Sequence, residues 1–298
     1  MTKASDLDGS PPSEDFAHGK KRAFMTLSTT DDFIEGALTL GESLRATGSR
    51  YEFLVALGPN VSPTAERQIE WAGHRTLRLD QIPPQVAGSE GRWSSTTQKL
   101  SLFGLSQLDT LVYIDADCLV LRNIDHLMDA PSLGAVATRF TAANQGSDMM
   151  FNSGVMVLRP DPEQYVDLLD QVSRDLPIYI RGGDPFGDQD LLNDFFADWG
   201  EEQRLPDTYN VFWGSIDQRV REEGLGLEAS LPDERQIAIV HFTGPHKPWV
   251  RPVWFTLKSL VRPFRHTARP PTSISVRILS KYLAFRRDAR TRLRAATG

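Results

Sequence analysis

The sequence has little of what marks secreted or membrane-spanning proteins. Cys118 is the only cysteine among the 298 residues, which excludes an internal disulfide and a zinc site built from cysteines. No apolar run approaches the roughly 20 residues of a membrane-spanning helix, and the first 16 residues lack the apolar centre of a signal peptide. We therefore expect a cytoplasmic protein, with Cys118 packed inside an apolar strand.

Acidic and basic residues are unevenly distributed along the chain. The formal net charge is −6, but residues 251–298 carry 12 Lys or Arg residues and one acid, a charge of +11, which leaves −17 on residues 1–250. The first 19 residues are rich in Asp, Ser, Pro and Gly, a composition typical of disorder. We predict a disordered leader over residues 1–19, a folded domain over residues 20–250 and a separate basic segment over residues 251–298.

Strand and helix patterns alternate through the first 80 residues. Residues 22–29 and 51–58 have the composition of buried strands, and Phe33, Ala37, Leu40 and Leu44 recur at helical spacing between them. Similar patterns predict strands at residues 132–138, 152–160 and 236–244, and a helix at residues 97–108. The alternation is typical of an α/β protein with a mostly parallel sheet, in which ligands bind at the carboxyl ends of the strands.

Two carboxylates interrupt the apolar stretch LVYIDADCLVL, residues 111–121. Asp115 and Asp117 are two residues apart, so a strand would direct both side chains to one face. A buried, unpaired carboxylate loses several kcal/mol of hydration, so we expect the pair at the open end of the strand beside a cation. Such a pair holds a divalent metal well when a diphosphate supplies further ligands. A solvated loop or a helix cap is the structural alternative for this short motif alone.

Three further segments place polar groups beside predicted strands or at a helix start. Each has a structural alternative, because Asn-Ser-Gly often forms a turn, an aspartate at a helix start often caps the helix, and a histidine after a strand often lies in the core. The order and spacing of the three segments favour a shared site instead. Their residues are Asn152, Ser153 and Gly154, then Asp188 and Gln189, and finally His241, Gly244 and Lys247.

Taken together, five stretches resemble the glycogenin-like retaining glycosyltransferases, glycosyltransferase family eight. The stretches are TLSTTDDFIEGALTLGESL, TQKLSLFGLSQLDTLVYIDADCLVLRNIDHL, FNSGVMVLRP, GDQDLLNDFF and HFTGPHKPW, and they run from about Ala23 to Trp249. The last contains the complete His-x-x-Gly-x-x-Lys-Pro-Trp signature. The resemblance implies a Rossmann-like GT-A fold with the catalytic domain at residues 20–250, a nucleotide-sugar donor, usually a UDP-hexose such as UDP-glucose or UDP-galactose, and Mn²⁺.

The resemblance also implies residue roles. Asp115, Asp117 and His241 would hold the metal, and an imidazole with two carboxylates suits Mn²⁺ better than a purely oxygen site would, with Mg²⁺ as the alternative. Asp188 and Gln189 would position the sugar and stabilise charge at the reaction centre. The implied donor-binding residues are Leu27, Thr29, Thr30, Phe33, Lys99, Asp115, Ala116, Asp117, Asn152, Ser153, Gly154, Gly244 and Lys247.

The sequence departs from the family pattern at several positions. Phe33 stands where glycogenin has a tyrosine that stacks on uracil, and Thr30 replaces an asparagine, so base selectivity is left open. Pro185 replaces the first aspartate of a family motif, and whether Asp184 substitutes for it is also open. Residues 214–240 contain no tyrosine, which excludes self-glucosylation in the segment where glycogenin modifies itself. We therefore expect a separate acceptor: a sugar, a polyol, a glycan or a lipid.

Two other functions are compatible with part of this pattern. Haloacid-dehalogenase-like phosphatases also carry Asp-x-Asp after an apolar strand, but they usually have Thr or Val where this chain has Leu119. A nucleotide-sugar-binding protein without turnover would require a missing catalytic group, and none is plainly missing.

The basic segment contains the pattern of an amphipathic helix. Ile274, Ile278, Tyr282 and Phe285 fall on one stripe of residues 274–294. Such a helix docks either on the acidic domain or on an anionic membrane, and both alternatives are open. Nucleic acid is not expected as a partner, because it would be repelled by the −17 body. A homodimer is left open.

Overall fold

A computed structural model describes residues 21–79, 97–138, 150–182, 187–244, 246–250 and 273–297. The predicted leader and the departures at Asp184 and Pro185 lie outside the described residues.

The larger of two sheets has seven strands in the order β3-β2-β1-β4-β7-β6-β8. Four of the neighbouring pairs are parallel, and β7 is antiparallel to both β4 and β6. The predicted α/β fold with a mostly parallel sheet is therefore confirmed. The strands are β1 (Arg22–Thr30), β2 (Glu52–Asn60), β3 (Arg75–Arg78), β4 (Thr110–Ile114), β6 (Gly134–Ala137), β7 (Phe151–Leu158) and β8 (Arg204–Leu205).

A smaller sheet has the strand order β5-β10-β9. Its strands are β5 (Cys118–Val120), β9 (Val211–Phe212) and β10 (Ile239–His241). Residues 115–117 connect β4 of the large sheet to β5 of the small sheet, so the Asp-x-Asp motif lies where the two sheets meet. Within the small sheet His241 pairs in register with Cys118, which brings the histidine beside the end of this turn.

Six α-helices surround the sheets in the part of the chain that the structure describes. Predicted core positions Ala37, Leu40 and Leu44 are buried on α1, whereas Phe33 lies half-buried in the 3-10 turn before it. The helix predicted at residues 97–108 is instead a 3-10 helix, Thr97–Gly104. The α-helices are α1 (Ile34–Ala46), α2 (Pro63–Trp71), α3 (Pro162–Gly182), α4 (Asp188–Phe195), α5 (Ile216–Glu223) and α6 (Ser273–Thr297).

The core is divided into layers on the two faces of the large sheet. Along β1, Phe24 contributes to one layer, while Met25 and Leu27 contribute to the other. Both faces of a mostly parallel sheet are covered, so its central strands are apolar almost continuously. The charged side chains of the aspartate turn, Asp115 and Asp117, follow directly after the apolar strand β4.

The C-terminal helix α6 docks on the folded domain, mainly against α1 and also against α2 and α5. Its predicted apolar residues Ile274, Ile278 and Tyr282 are buried in that contact. Arg286 pairs with Glu35 of α1 at 2.7 Å. Within the described residues, no helix is both long enough and apolar enough to cross a membrane.

Candidate active site

The turn that carries the two aspartates is held by backbone hydrogen bonds to both sheets. The Asp115 N–H donates to the Gly154 carbonyl at 2.8 Å, which ties the turn to β7. The Phe242 N–H donates to the Asp117 carbonyl, also at 2.8 Å, which ties it to the residue after β10. The side chains of the turn therefore have a defined position relative to those of β7 and β10.

Lys99 pairs with two carboxylates from different parts of the chain. Its Nζ lies 3.1 Å from Asp115 Oδ1 and 2.6 Å from Asp188 Oδ2. Burial of Lys99 favours the neutral amine, but the two carboxylates outweigh burial and raise the pKa of the lysine. The pKa of Asp188 is lowered, because Lys99 and the Ser153 hydroxyl, which donates to Asp188 Oδ2 at 2.7 Å, overcome the opposing effect of burial.

Asp117 pairs with His241 and Lys247, the two basic residues of the His-x-x-Gly-x-x-Lys-Pro-Trp motif. His241 Nε2 lies 3.1 Å from Asp117 Oδ1, and Lys247 Nζ contacts Asp117 Oδ2. Burial opposes ionisation of Asp117, but the two partners hold its pKa below the usual value. Asp115 is also close, with its Oδ2 3.6 Å from His241 Nε2. Both aspartates thus lie beside basic side chains, and the metal ion expected there from the sequence stays a prediction.

A chain of amides connects His241 to the start of α4. Asn152 Nδ2 donates to Gln189 Oε1 at 2.7 Å, and Asn210 Nδ2 donates to Asn152 Oδ1 at 2.6 Å. Asn210 Oδ1 is then left to accept from His241 Nδ1, 2.9 Å away. This direction of donation assigns a proton to Nδ1 and points Nε2 at the carboxylates, the arrangement expected of a metal-binding imidazole.

Asp188 is not the N-cap of its helix, because Gly187 has that position. The helix-start N–H of Gly187 donates to Asp190 Oδ2 at 2.8 Å, so Asp190 has the capping contact. The Asp188 carboxylate instead contacts Lys99 and Ser153 in the charged cluster.

Two glycines of the site are needed for different reasons. A Cβ on Gly154 would lie 2.5 Å from His241 Cε1, so the histidine ring can occupy its position only because residue 154 has no side chain. Gly244 has φ +99°, a left-handed conformation that favours glycine, and a Cβ there would meet nothing within 4 Å. Gly154 therefore permits a close contact with the His241 ring, whereas Gly244 permits a backbone conformation with positive φ.

The predicted nucleoside-binding residues lie at the end of β1 and in the turn after it. Leu27 is buried, and Thr29, Thr30 and Phe33 are partly buried. The Phe33 ring packs edge-on against Trp249, with 6.3 Å between ring centroids.

Ala116 joins this region to the aspartate turn. Its carbonyl oxygen would lie 2.6 Å from a Cβ on Gly36 of α1, so the two backbones are in close contact. The structure describes all the donor-binding residues predicted from the sequence. Some lie at the end of β1 and in the turn after it, and the others lie in or next to the charged cluster.

Two residues of the cluster were not predicted. The Tyr113 hydroxyl donates to Asp115 Oδ1 at 2.5 Å, and burial together with Asp115 raises the pKa of the tyrosine. Strand alternation could have indicated it, since Tyr113 precedes Asp115 by two residues. Asn210 follows a 3-10 turn far along the sequence, and no local pattern pointed to it.

Two sets of groups are candidates for holding a metal ion. In the described part of the chain, ligand atoms of Asp117, Cys118 and His241 lie within 4.8 Å of one another. Burial and the neighbouring Asp117 raise the pKa of the Cys118 thiol, and a protonated thiol is a poor ligand. Asp115, whose carboxylate also reaches His241 Nε2, is the better third group. Two carboxylates and an imidazole fit a divalent ion such as Mn²⁺ or Mg²⁺.

The model of glycosyl transferase family 8 matches residues 25–252. The chain belongs to this family. Human glycogenin-1 is 31% identical over 240 residues, and rabbit glycogenin-1 is 32% identical over 237 residues; each match covers 76% of this chain. The chain spans only 62% and 65% of the lengths of those two relatives. UDP-glucuronate:xylan alpha-glucuronosyltransferase 2 of Arabidopsis thaliana is 28% identical, over 78% of this chain and 36% of its own length.

Solved structures confirm the GT-A fold that the family resemblance implied. The galactosyltransferase LgtC, crystallised with donor and acceptor sugar analogs, superposes with a TM-score of 0.60 at 16% identity. The superposition covers 89% of this chain and 95% of LgtC.

Proposed function

We propose that this chain is a metal-dependent retaining hexosyltransferase that transfers a hexose from UDP-glucose or UDP-galactose to an acceptor other than itself. The observation that carries the proposal is the convergence of Asp115, Asp117, Asp188, Lys99 and His241 at the carboxyl end of β4. Ligands bind at this edge in α/β sheets, and buried charges of both signs are costly to maintain without a function.

The diphosphate end of the donor would lie beside Lys247 and the aspartate turn. Asp115, Asp117 and His241 would hold a divalent ion, which supplies electrostatic stabilisation to the leaving diphosphate. Lys247 can turn from Asp117 to the phosphate oxygens, where it would stabilise the charge that develops as UDP departs. The left-handed backbone conformation at Gly244 turns the chain towards Lys247, three residues further on.

The sugar end would lie beside α4 and the start of β7. Ser153 and Lys99 hold the Asp188 carboxylate in place, so its negative charge is available where positive charge develops at the anomeric carbon. The oxygen of the Gln189 amide accepts from Asn152, so Gln189 would offer its NH₂ group to a sugar hydroxyl. We assign both residues to positioning and charge stabilisation.

The experiment is incubation of the purified chain with a panel of UDP-sugars and Mn²⁺, with UDP release followed in the presence and absence of EDTA. Metal-dependent release from a UDP-hexose supports the proposal. Binding of a UDP-sugar with no release or transfer would favour a protein that binds without turnover, and phosphate release from simple esters would favour a phosphatase.

We also propose that the predicted boundaries of the three segments, residues 1–19, 20–250 and 251–298, are correct and that the protein is cytoplasmic.

We propose further that α6 docks on the domain rather than on an anionic membrane. Burial of Ile274, Ile278 and Tyr282 against the domain supports docking, because those side chains are then withheld from lipid. Equal sedimentation of the chain with anionic and neutral vesicles at low salt is the expected result. Preferential recovery with anionic vesicles would restore the membrane alternative.

A further inference from the structure

Tyr113 lies near the end of β4, two residues before Asp115. The tyrosine is buried, and its ring packs in the core layer that contains Met25 and Leu27. The hydroxyl group on that ring contacts Asp115 Oδ1 at 2.5 Å. An ionised carboxylate only accepts hydrogen bonds, so the phenol is the donor. Tyr113 therefore connects the apolar core to a proposed metal ligand.

The two carboxylate oxygens of Asp115 face different partners. Oδ1 is contacted by the Tyr113 hydroxyl at 2.5 Å and by Lys99 Nζ at 3.1 Å. Oδ2 lies 3.6 Å from His241 Nε2. Because both donors contact the same oxygen, the other oxygen is left on the side of the imidazole that is proposed to bind the metal.

Tyr113 determines this orientation more than Lys99 does. Lys99 is shared between two carboxylates, and its Nζ lies closer to Asp188 Oδ2, at 2.6 Å, than to Asp115 Oδ1. The Tyr113 hydroxyl makes the shorter contact with Asp115. Without this hydroxyl, the Asp115 carboxylate could rotate and present either oxygen to Lys99, because hydrogen bonds between ammonium groups and carboxylates are strong.

We infer that Tyr113 is a positioning residue, whose hydroxyl holds the Asp115 carboxylate so that Oδ2 faces the metal site. The inference rests on the proposed function, because it takes the metal site from that proposal. Tyr113 acts through Asp115 and has no contact with the metal in this role. Groups that form hydrogen bonds with metal ligands typically contribute about ten- to a hundredfold to metal affinity or activity.

Tyr113→Phe tests the hydroxyl alone. The substitution keeps the ring, which packs in the core and has Lys99 Nζ 4.9 Å from its centroid. The Kd for Mn²⁺, measured on the full chain by electron paramagnetic resonance without nucleotide and again with UDP, should rise roughly tenfold. Tyr51→Phe is the matched control and should leave this Kd unchanged, because Tyr51 is also buried and its hydroxyl accepts from Arg50 Nη2 at 3.0 Å, outside the site.

Steady-state kinetics distinguish positioning of the metal ligand from stabilisation of the fold. With Mn²⁺ far above its raised Kd, UDP release by Tyr113→Phe should return to nearly the rate of the unsubstituted chain, while the half-saturating Mn²⁺ concentration stays raised. A lower melting temperature with an unchanged Kd for Mn²⁺ would overturn the inference, because the hydroxyl would then only stabilise the fold.

A double-mutant cycle shows whether Tyr113 acts through Asp115. Asp115→Asn should weaken Mn²⁺ binding by itself, and Tyr113→Phe should add little to that loss, because no carboxylate is left to orient. Full additivity of the two losses would overturn the inference.

The outcomes separate this inference from the proposed function. If Tyr113→Phe weakens Mn²⁺ binding but the unsubstituted chain releases UDP from no donor, the positioning role stands and the transferase is overturned. Absence of Mn²⁺ binding by the unsubstituted chain, with and without UDP, would overturn the metal site and the positioning role with it.

Discussion

The active-site cluster and the docking surface of α6 both contain pairs of basic and acidic residues, but the pairs differ in burial. The side chains of Lys99 and Asp117 are each about 10% exposed. On α6, Arg290 and Arg292 are 52% and 54% exposed, and Arg286, at 12%, is the exception. Exposed pairs contribute about 0–1 kcal/mol each, so α6 is held mainly by its buried apolar residues. Buried pairs require large desolvation, and their retention at the site indicates a function other than stability.

The two regions also differ in their relation to the family. The family match ends at residue 252, so α6 lies outside it, while the cluster lies within it. Nevertheless, α6 contacts the segment that carries His241 and Lys247, the proposed metal and diphosphate ligands. Tyr282 packs edge-on against Phe242 at 5.1 Å, and Arg286 Nη2 donates to the Trp249 carbonyl at 3.3 Å. The helix therefore supports the site without lining it.

The largest effect is expected for Asp117→Asn. The substitution keeps the size of the side chain but removes one charge from the proposed metal site, and electrostatic stabilisation of this kind contributes several kcal/mol. UDP release should fall by orders of magnitude, and Mn²⁺ binding measured by electron paramagnetic resonance should weaken. Asp170→Asn, at an exposed aspartate of α3, is the control. Normal Mn²⁺-dependent UDP release by Asp117→Asn would show that the metal assignment is wrong.

Asp188→Asn should lower kcat roughly a hundredfold with little change in UDP-sugar affinity. Asp188 is proposed to act where charge develops in the transition state, so its loss affects turnover more than binding. Steady-state kinetics and calorimetry measure the two separately. Weak donor binding with turnover preserved at saturation would reassign Asp188 to ground-state binding.

Local patterns predicted the cluster better than its surroundings. The aspartates, Asn152, Ser153, Asp188, His241 and Lys247 could be identified because each sits in a short motif at the end of a strand or the start of a helix. Asn210 could not, because its function depends on pairing between β9 and β10 and on two other amides. A contact set by tertiary packing leaves no signal in the adjacent sequence.

Tertiary packing also determines features of α6 and of the aspartate turn that no local pattern predicts. The amphipathic pattern predicted α6 and its buried face, but its partner Glu35 lies on α1, more than 200 residues away. The split at residues 115–117 between two sheets was not predicted, since the apolar residues on both sides have the composition of one continuous strand.

A pH effect is expected near the α6 surface. Burial, followed by the charges of Arg45 and Arg292, lowers the pKa of His74 from its usual value to about 3. Because the folded state resists protonation, His74 contributes stability that is fully present above pH 6.5 and is lost as the pH falls towards 3. The free energy of unfolding in urea should drop by about 2 kcal/mol between pH 7.5 and pH 5 from this residue. His74→Gln should flatten the dependence, and an unchanged slope would remove His74 as its source.

The smallest effect, and the one that tests the link between the two regions, is expected for Arg286→Gln. Arg286 joins Glu35 at the start of α1 to the Trp249 carbonyl, and the Trp249 indole N–H donates to the Asp32 carbonyl at 2.8 Å. Its loss should loosen the segment that carries Lys247 relative to the turn before α1, and raise the Kd for UDP roughly fivefold, a change of about 1 kcal/mol.

Arg287→Gln is the matched control for that variant, because Arg287 is 77% exposed and its only described ion pair is with its neighbour Asp288 at 3.5 Å. Calorimetric titration with UDP and Mn²⁺ distinguishes two roles for Arg286. A lower melting temperature with unchanged UDP affinity would mean that Arg286 only attaches the helix. A weaker affinity in Arg286→Gln, with the control unaffected and affinity partly recovered in Arg286→Lys, would mean that α6 positions the diphosphate segment, so that a helix outside the family match contributes to donor binding.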